Sequence, residues 1–443
     1  MTSESKQKQI HEPEGSLQED VGNVEDLEVF GIESNGVKFR TLSWPNASII
    51  FIKLIFATGV LSIPTSMYQI GAVGGSLSVL GWTAWNQYTA VILYDSRQRH
   101  GRCHSIADMA QILAGRMGKE IAGIFFILGN IICTGSAIIA ISTGLNALSH
   151  HAACTVWWAV VAFAVIAAVA SIRKLEQLSW LTWTGFISVF VAVFVVVCGV
   201  TQLDRPAAAP ATGPYELGFY AVPPTTPSFE IGMLATCNIF VSSANTGAFV
   251  PVLAEMKNPR DFKKAVHVAM TIILVLYFTF SLVVYAYCGQ WVASPSLGVA
   301  AKYVFVRLLR NTDHLQRNSL VHWSTWLSCT FSISAVAFVV AEAVPIFNYL
   351  LALLGSFVYG PLNICLPATL WLHDNRELWK IKSGNGSRFM YKRLAACIFH
   401  VFFVVLGAFI TVAGTYAVCV EIKKAYDTGQ IVSTSSGLVA NEV

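Results

Sequence analysis

The sequence predicts an all-α integral membrane protein of about eleven transmembrane helices, and three observations predict it. First, 55% of the 443 residues are hydrophobic and only 12% charged, against roughly 25% charged in an average soluble domain. Second, the charges cluster between apolar runs that extend for about 20 residues nearly free of charge. A large soluble protein could bury so apolar a core, but not in repeated windows of that length. Third, the basic residues fall unevenly on alternate loops, the imprint of a fixed orientation in a bilayer.

Residues 1–43 come first. Within 1–40, nine acidic residues stand against Lys6, Lys8, Lys38 and Arg40, with too little apolar mass to fold, so the stretch reads as a disordered cytosolic tail. No cleavable signal peptide opens the sequence, and the first span is expected to direct its own insertion. Apolar segments follow at 46–69, 74–95, 120–147, 155–172 and 177–200. After a loop at 201–228 come 229–253, 265–288, 319–342, 344–356, 358–373 and 394–418. The run 344–373 could be one long helix, but Gly360-Pro361 interrupts it. Residues 374–393 form a polar loop, and 419–443 a C-terminal tail.

Loop charge gives the orientation. With the N-terminus in the cytoplasm, the loops at 96–119, 171–176, 254–264 and 374–393 hold 5, 2, 4 and 6 Lys/Arg, 17 in all, against seven on the other side. That asymmetry favours the N-inside topology. A single helix over 344–373 would place the six basic residues of 374–393 outside, so the segment is divided in two. The discordant loop, 289–318, is long enough to translocate despite its charge, and 299–310 within it is amphipathic. An odd number of spans puts the termini on opposite sides. The sequons Asn46-Ala47-Ser48 and Asn385-Gly386-Ser387 then lie in the cytoplasm and should carry no glycan.

Composition also excludes functions. The net charge of +4 gives no footprint for nucleic acid, because the basic residues sit in short loops. There is no HExxH, no GxSxG and no acidic or histidine cluster within the spans, which argues against a membrane enzyme. No cofactor and no metal is called for: His100, Cys103 and His104 crowd one loop, a weak ligand pattern. The ten cysteines form no CxxC pair and read mostly as small buried hydrophobes; Cys154 and Cys288 could bond if both reach the outer face.

Two spans are interrupted. In the first, Thr58-Gly59 and then Pro64 fall in mid-span: glycine tolerates angles that break the ladder, and proline cannot donate to the carbonyl of Val60. A broken helix frees amides and points a positive half-helix end at the gap, which suits an anion such as a carboxylate; an ordinary proline kink needs the same residues. In the sixth, Ser242-Ser243-Ala244-Asn245-Thr246-Gly247 leads to Pro251, a second break. Interruptions five helices apart are the signature of inverted repeats with a solute site at the midplane between them.

The string Gly59-Val60-Leu61-Ser62-Ile63-Pro64 resembles the first-helix motif of the amino acid/auxin permease family. Glu255-Met256-Lys257-Asn258-Pro259-Arg260-Asp261-Phe262-Lys263-Lys264-Ala265 resembles that family's stretch after the sixth helix. The resemblance runs from about 44 to 418 and is nearest to the fungal neutral amino acid permeases of the N amino acid transport system type. It implies a LeuT-like fold of the APC superfamily, with 44–200 and 229–373 as five-helix inverted repeats and 394–418 peripheral. It also implies proton-coupled symport of neutral aliphatic or aromatic amino acids into the cell, across the plasma membrane. A vacuolar exporter of the same family and an amino acid receptor without substantial flux stay open. The sequence departs from the family at Ala57, where many members have glycine, and at Asn245-Thr246, where many have Gly-His.

By that resemblance the substrate carboxylate meets the amides of Thr58, Gly59 and Val60, and the ammonium group the carbonyls of Val241, Ser242 and Ser243. Phe240 and Asn245 border the side-chain pocket, with Asn130 and Thr134 as weaker candidates; simple helix packing explains all four at least as well. Lys53, an ionisable residue within a span, is a coupling candidate, although a position so near the interface also lets it snorkel. Glu342 and Glu230 could exchange protons if buried. Thr330, Ser332 and Ser334 are either remnants of an ion site or interhelical hydrogen bonds. Gly71 and Gly75 have the GxxxG spacing, read as tight helix packing.

Overall fold

In hydrocarbon every backbone N–H and C=O must find its partner within the protein, so an apolar chain crosses as helix. The computed structural model describes residues 42–60, 62–101, 103–149, 152–170, scattered positions between 183 and 201, 216–288, 335–339, 341, 346–376 and 387–428. Every regular element among the described residues is helical. In order these are α1 (Trp44–Gly59), α2 (Ile63–Arg99), α3 (Ile106–Leu148), α4 (Thr155–Ala170), α5 (Phe229–Ser243), α6 (Phe249–Glu255) and α7 (Phe262–Cys288). Then come α8 (Phe347–Leu353), α9 (Leu366–Asp374), α10 (Ser387–Phe409) and α11 (Thr415–Asp427). The expected spans 177–200 and 319–342 lie mostly outside the described residues.

Length and apolarity suffice for crossing a membrane in Ile106–Asn146, Phe229–Glu255, Pro259–Cys288, Phe347–Asp374 and Arg393–Asp427. Lipid is as apolar as leucine, so these helices associate through close van der Waals packing and interhelical hydrogen bonds rather than by hiding from water. The lipid-facing surface accordingly shows large side chains, such as Trp157 on α4 and Val405 on α10, exposed by 69% and 63%.

Among the described residues, three packed clusters hold the bundle. One joins α1 to α6 and α7: Phe51 stacks on Phe249 at 4.2 Å and meets Phe262 edge-on at 5.4 Å, while Phe56 stacks against Tyr277 at 5.9 Å. A second joins α3 and α4 to α8 and the turns after it. The third gathers Trp85, Cys237, Phe240, Ile364 and Ile410, and Trp85 stacks on Phe403 of α10 at 3.5 Å.

The division of 344–373 into two spans is corrected here. Phe347–Asp374 is continuous, with a π-helical stretch, Leu354–Cys365, linking α8 to α9. Pro361 cannot donate, and the wider register absorbs it: the N–H of Leu366 donates to the Pro361 carbonyl, five residues back. Gly360 serves packing instead. A β-carbon there would lie 2.5 Å from Thr411 Oγ1, so glycine is what lets this helix close on the span that holds α10.

The Asp374 end of that helix meets the end of α2, where Arg99 Nη1 donates to the Asp374 carbonyl at 2.9 Å. The loops after Arg99 and after Asp374 therefore start at the same end of the bundle. Lys263 Nζ joins Asp95 at 2.6 Å at that end as well. The pairing of Cys154 with Cys288 is also corrected: both are free thiols, Cys154 exposed and Cys288 buried.

Gly71 has a conformational role beyond packing. Its φ of +81° kinks α2, and the segment before α5 locks the kink, with Ala72 and Val73 N–H donating to the carbonyls of Tyr220 and Ala221 at 3.0 Å each. Gly75 is crowded by Met67 of its own helix, across the kink, and Gly71 by the main chain of Ala221 and Val222 and by Pro223, so the pair packs against that segment and against itself rather than helix to helix.

Candidate functional site

The first interruption falls between α1 and α2. α1 ends at Gly59, Val60 keeps right-handed angles, and Ser62 turns back so that its N–H and hydroxyl both donate to the Gly59 carbonyl, at 3.1 and 2.8 Å. Pro64 does not kink a continuous helix. It sits in the first turn of α2, where a missing N–H costs no bond.

The second interruption separates α5 from α6. Ser243 ends α5, Ala244 takes φ −88° and ψ 0°, and Asn245–Ala248 form a 3-10 turn before α6 begins. Small and polar side chains let the chain change register here without a void.

The two interruptions meet. A β-carbon on Gly59 would lie 2.3 Å from Ser242 Cβ and 2.4 Å from Ser242 Cα, so the approach is open to glycine alone. Ser242 Oγ donates to the Asn238 carbonyl at 2.7 Å and reaches the Gly59 carbonyl at 3.2 Å. Asn245 Nδ2 donates to the Leu54 carbonyl at 3.3 Å. The Tyr277 hydroxyl of α7 lies 2.9 Å from both the Ile55 and the Ser242 carbonyls, sharing one proton across the junction.

α2 supplies a second polar layer that the sequence did not reveal. Asn86 Nδ2 donates to Ser243 Oγ at 2.9 Å, and the Thr89 and Thr246 hydroxyls lie 3.4 Å apart. Asn363 of the π-helical stretch approaches Gly247 from the other side, and its carbonyl accepts from Trp85 Nε1 at 3.3 Å. Asn86 Oδ1 and Asn363 Nδ2 are buried with no hydrogen-bond partner among the described residues. Such atoms call for a polar ligand or an ordered water. An asparagine inside an apolar window is visible in sequence, but its partner 157 residues away is not.

The sequence-derived candidates divide accordingly. Gly59, Val60, Val241, Ser242, Ser243 and Asn245 converge on the junction, with Thr58 on the last turn of α1. Phe240 is fully buried and faces Trp82 at 4.8 Å, within the cluster around Trp85. Asn130 donates to its own helix at Phe126, 2.7 Å away, and Thr134 is buried on α3. Lys53 is half-buried on α1, and no carboxylate among the described residues pairs with it. Glu230 stands in the first turn of α5, at the end of the bundle rather than the junction. Glu342, Thr330, Ser332 and Ser334 lie outside the described residues.

At the basic end, Leu42 forms an isolated bridge to Met256: its N–H donates to the Glu255 carbonyl at 3.1 Å, and it accepts from Lys257 N–H at 2.9 Å. On α3 Asp108 pairs with Lys119 at 2.6 Å, and Arg97 Nε, in the last turn of α2, donates to the Cys103 carbonyl of the following loop at 2.9 Å. Cys103 is buried there, and that burial pushes its thiol up to about 11.

Comparison with known proteins adds an independent line. A family model described as a transmembrane amino acid transporter protein matches residues 40–303. A protein of Fusarium pseudograminearum named a transmembrane transporter is 41% identical over 439 residues, covering 93% of this chain and 90% of that protein. A Gibberella moniliformis protein of the same name is 41% identical over 435 residues, 92% of this chain and 90% of its own. The N amino acid transport system protein of Neurospora crassa is 25% identical over 444 residues, 93% and 91% of the two chains.

Proposed function

Given that the chain belongs to the transmembrane amino acid transporter family, we propose that it is a proton-coupled symporter carrying neutral amino acids into the cell across the plasma membrane, N-terminus in the cytoplasm. The observation that carries this reading is the contact between Gly59 and Ser242, where two interrupted helices press backbone on backbone. Broken helices that meet in this way present amides and carbonyls to a solute without burying a charged side chain.

In the proposed arrangement, residues 44–200 and 229–373 are the two inverted repeats of a LeuT-like fold, with Phe347–Asp374 crossing as one span and 394–418 peripheral. The substrate carboxylate is held at the amides of Thr58, Gly59 and Val60, where the positive end of α2 also faces. The ammonium group is held at the carbonyls of Val241, Ser242 and Ser243, and the side chain lies toward Phe240 and Asn245. Lys53 and Glu342 are the candidates for moving the coupling proton, and Thr330, Ser332 and Ser334 for an ion site. The name of the Neurospora crassa relative supports an amino acid as the cargo.

Uptake of labelled neutral amino acids by cells expressing the protein tests the proposal, at acidic and neutral pH with and without a protonophore. Uptake that rises in acid and collapses with the protonophore is expected. Uptake indifferent to both, in cells that display the protein at the surface, refutes proton coupling. No uptake at all would favour a receptor, and flux from isolated vacuoles would favour an exporter.

A further inference from the structure

Away from the junction, two imidazoles converge on one carboxylate. His100 follows α2, while His373 and Asp374 close α9, with Asp374 274 positions further along the chain. His100 Nε2 lies 3.0 Å from Asp374 Oδ1, and His373 Nδ1 lies 3.3 Å from the same oxygen. All three donor atoms lie within 4.8 Å of one another. The Asp374 side chain is 4% exposed and therefore fixed, whereas His100 at 36% and His373 at 25% reach solvent.

We propose that His100, His373 and Asp374 form a binding site for a first-row divalent transition metal ion, zinc above all, that bridges the ends of α2 and α9. Two imidazole nitrogens and one carboxylate oxygen are ligands that zinc takes readily, and water completes a tetrahedral set of three protein ligands. Calcium and magnesium, which seek oxygen, are poorly served by two imidazoles. Ligand atoms about 2.0–2.1 Å from a tetrahedral ion stand roughly 3.3 Å apart. Two of the three separations already have that size, and rotation of the exposed imidazoles closes the third.

A hydrogen-bonded clasp accounts for either histidine singly. It does not require that both aim a ring nitrogen at the same carboxylate oxygen. Arg99 donating to the Asp374 main-chain carbonyl fixes the end of α9 without occupying the side chain. Cys103, the sulfur ligand offered in the same loop, is buried and free. The site is thus assembled across two elements and not from the local His100, Cys103, His104 spacing.

The test is titration of the full-length protein, purified in detergent and stripped with chelator, with zinc chloride in a calorimeter. One saturable equivalent is expected, and His100→Gln and His373→Gln should each weaken Kd by at least about tenfold, the lower bound for losing even an outer-shell partner of a metal site. Glutamine can still donate to Asp374, so both variants keep a clasp while losing the imidazole. Cobalt(II) gives a second readout: wild type should develop the visible bands of tetrahedral coordination. Absence of saturable zinc binding, glutamine variants that bind as wild type does, or a cobalt spectrum that stays that of the aqueous ion would overturn the proposal.

Discussion

Adding one methyl group at Gly59 tests whether the junction of the two interruptions works as a close backbone contact. In Gly59→Ala the new carbon would stand 2.3 Å from Ser242 Cβ, 2.4 Å from Cα and 2.5 Å from Oγ. Carbon atoms in contact prefer about 3.5–4.0 Å, so the end of α1 must retreat by more than ~1 Å. That retreat pulls on the Tyr277 and Asn245 hydrogen bonds that span the same gap. Overpacking costs about 1–3 kcal/mol, and the upper end applies because a main-chain atom cannot rotate away. If the cost falls on the transport-competent junction, its upper end converts to a loss of about 150-fold.

The assay is initial uptake rate per copy at the cell surface, compared for wild type, Gly59→Ala, Gly59→Val and Gly59→Ala/Ser242→Gly. Ser242→Gly removes Cβ and Oγ but leaves Cα, so the double variant should recover only in part. Gly59→Val should abolish uptake altogether. Wild-type rates for Gly59→Ala at wild-type surface levels would refute the reasoning.

Tyr277→Phe removes the one hydroxyl that joins Ile55 to Ser242 and should cost about 1 kcal/mol; a lowered Tm in detergent together with reduced uptake is expected, and neither changing would count against the bridge. Gly71→Ala forces a β-carbon to within 2.8 Å of the Ala221 carbonyl at φ +81° and ψ 161°, a region essentially reserved for glycine where an L side chain costs about 1–3 kcal/mol, so thermal unfolding should shift downward. At Cys103 the raised value of about 11 leaves little thiolate below that pH, so maleimide should label Cys154 long before Cys103 at mildly alkaline pH; mass spectrometry showing equal rates would contradict the burial.

The interruptions in the first and sixth spans were legible because Gly59, Pro64 and the run Ser242 to Gly247 are local signals: glycine and proline act on their own dihedrals and hydrogen bonds. The same logic misread Gly360-Pro361. There the glycine answers to Thr411, 51 positions away, and the proline is accommodated by a π register that no local pattern announces. Gly71 misled in the opposite sense, since a spacing that suggested packing conceals a positive φ set by residues 220 and 221. Asn86 and Asn363 went unnoticed because an amide in an apolar span looks the same whether it packs, binds water or meets a solute; only the fold brings Asn86 to Ser243 and Asn363 to Gly247.

The bridge between Leu42 and Met256 has a mechanical consequence. Both of its hydrogen bonds are made by main-chain atoms, the Leu42 N–H and carbonyl with Glu255 and Lys257, so proline at 42 or 257 would remove one directly whereas shortening the Leu42 side chain removes neither. It ties the lead-in of α1 to the far end of α6, and the stack of Phe51 on Phe249 ties the same two helices a few turns deeper. α1 and α6 therefore behave as a single lever pinned at two heights. Tilting one without the other must shear an aromatic stack and break two hydrogen bonds worth about 1 kcal/mol each, while tilting both together costs neither. A pull on the chain just ahead of Leu42 is thus delivered to both halves of the junction at once.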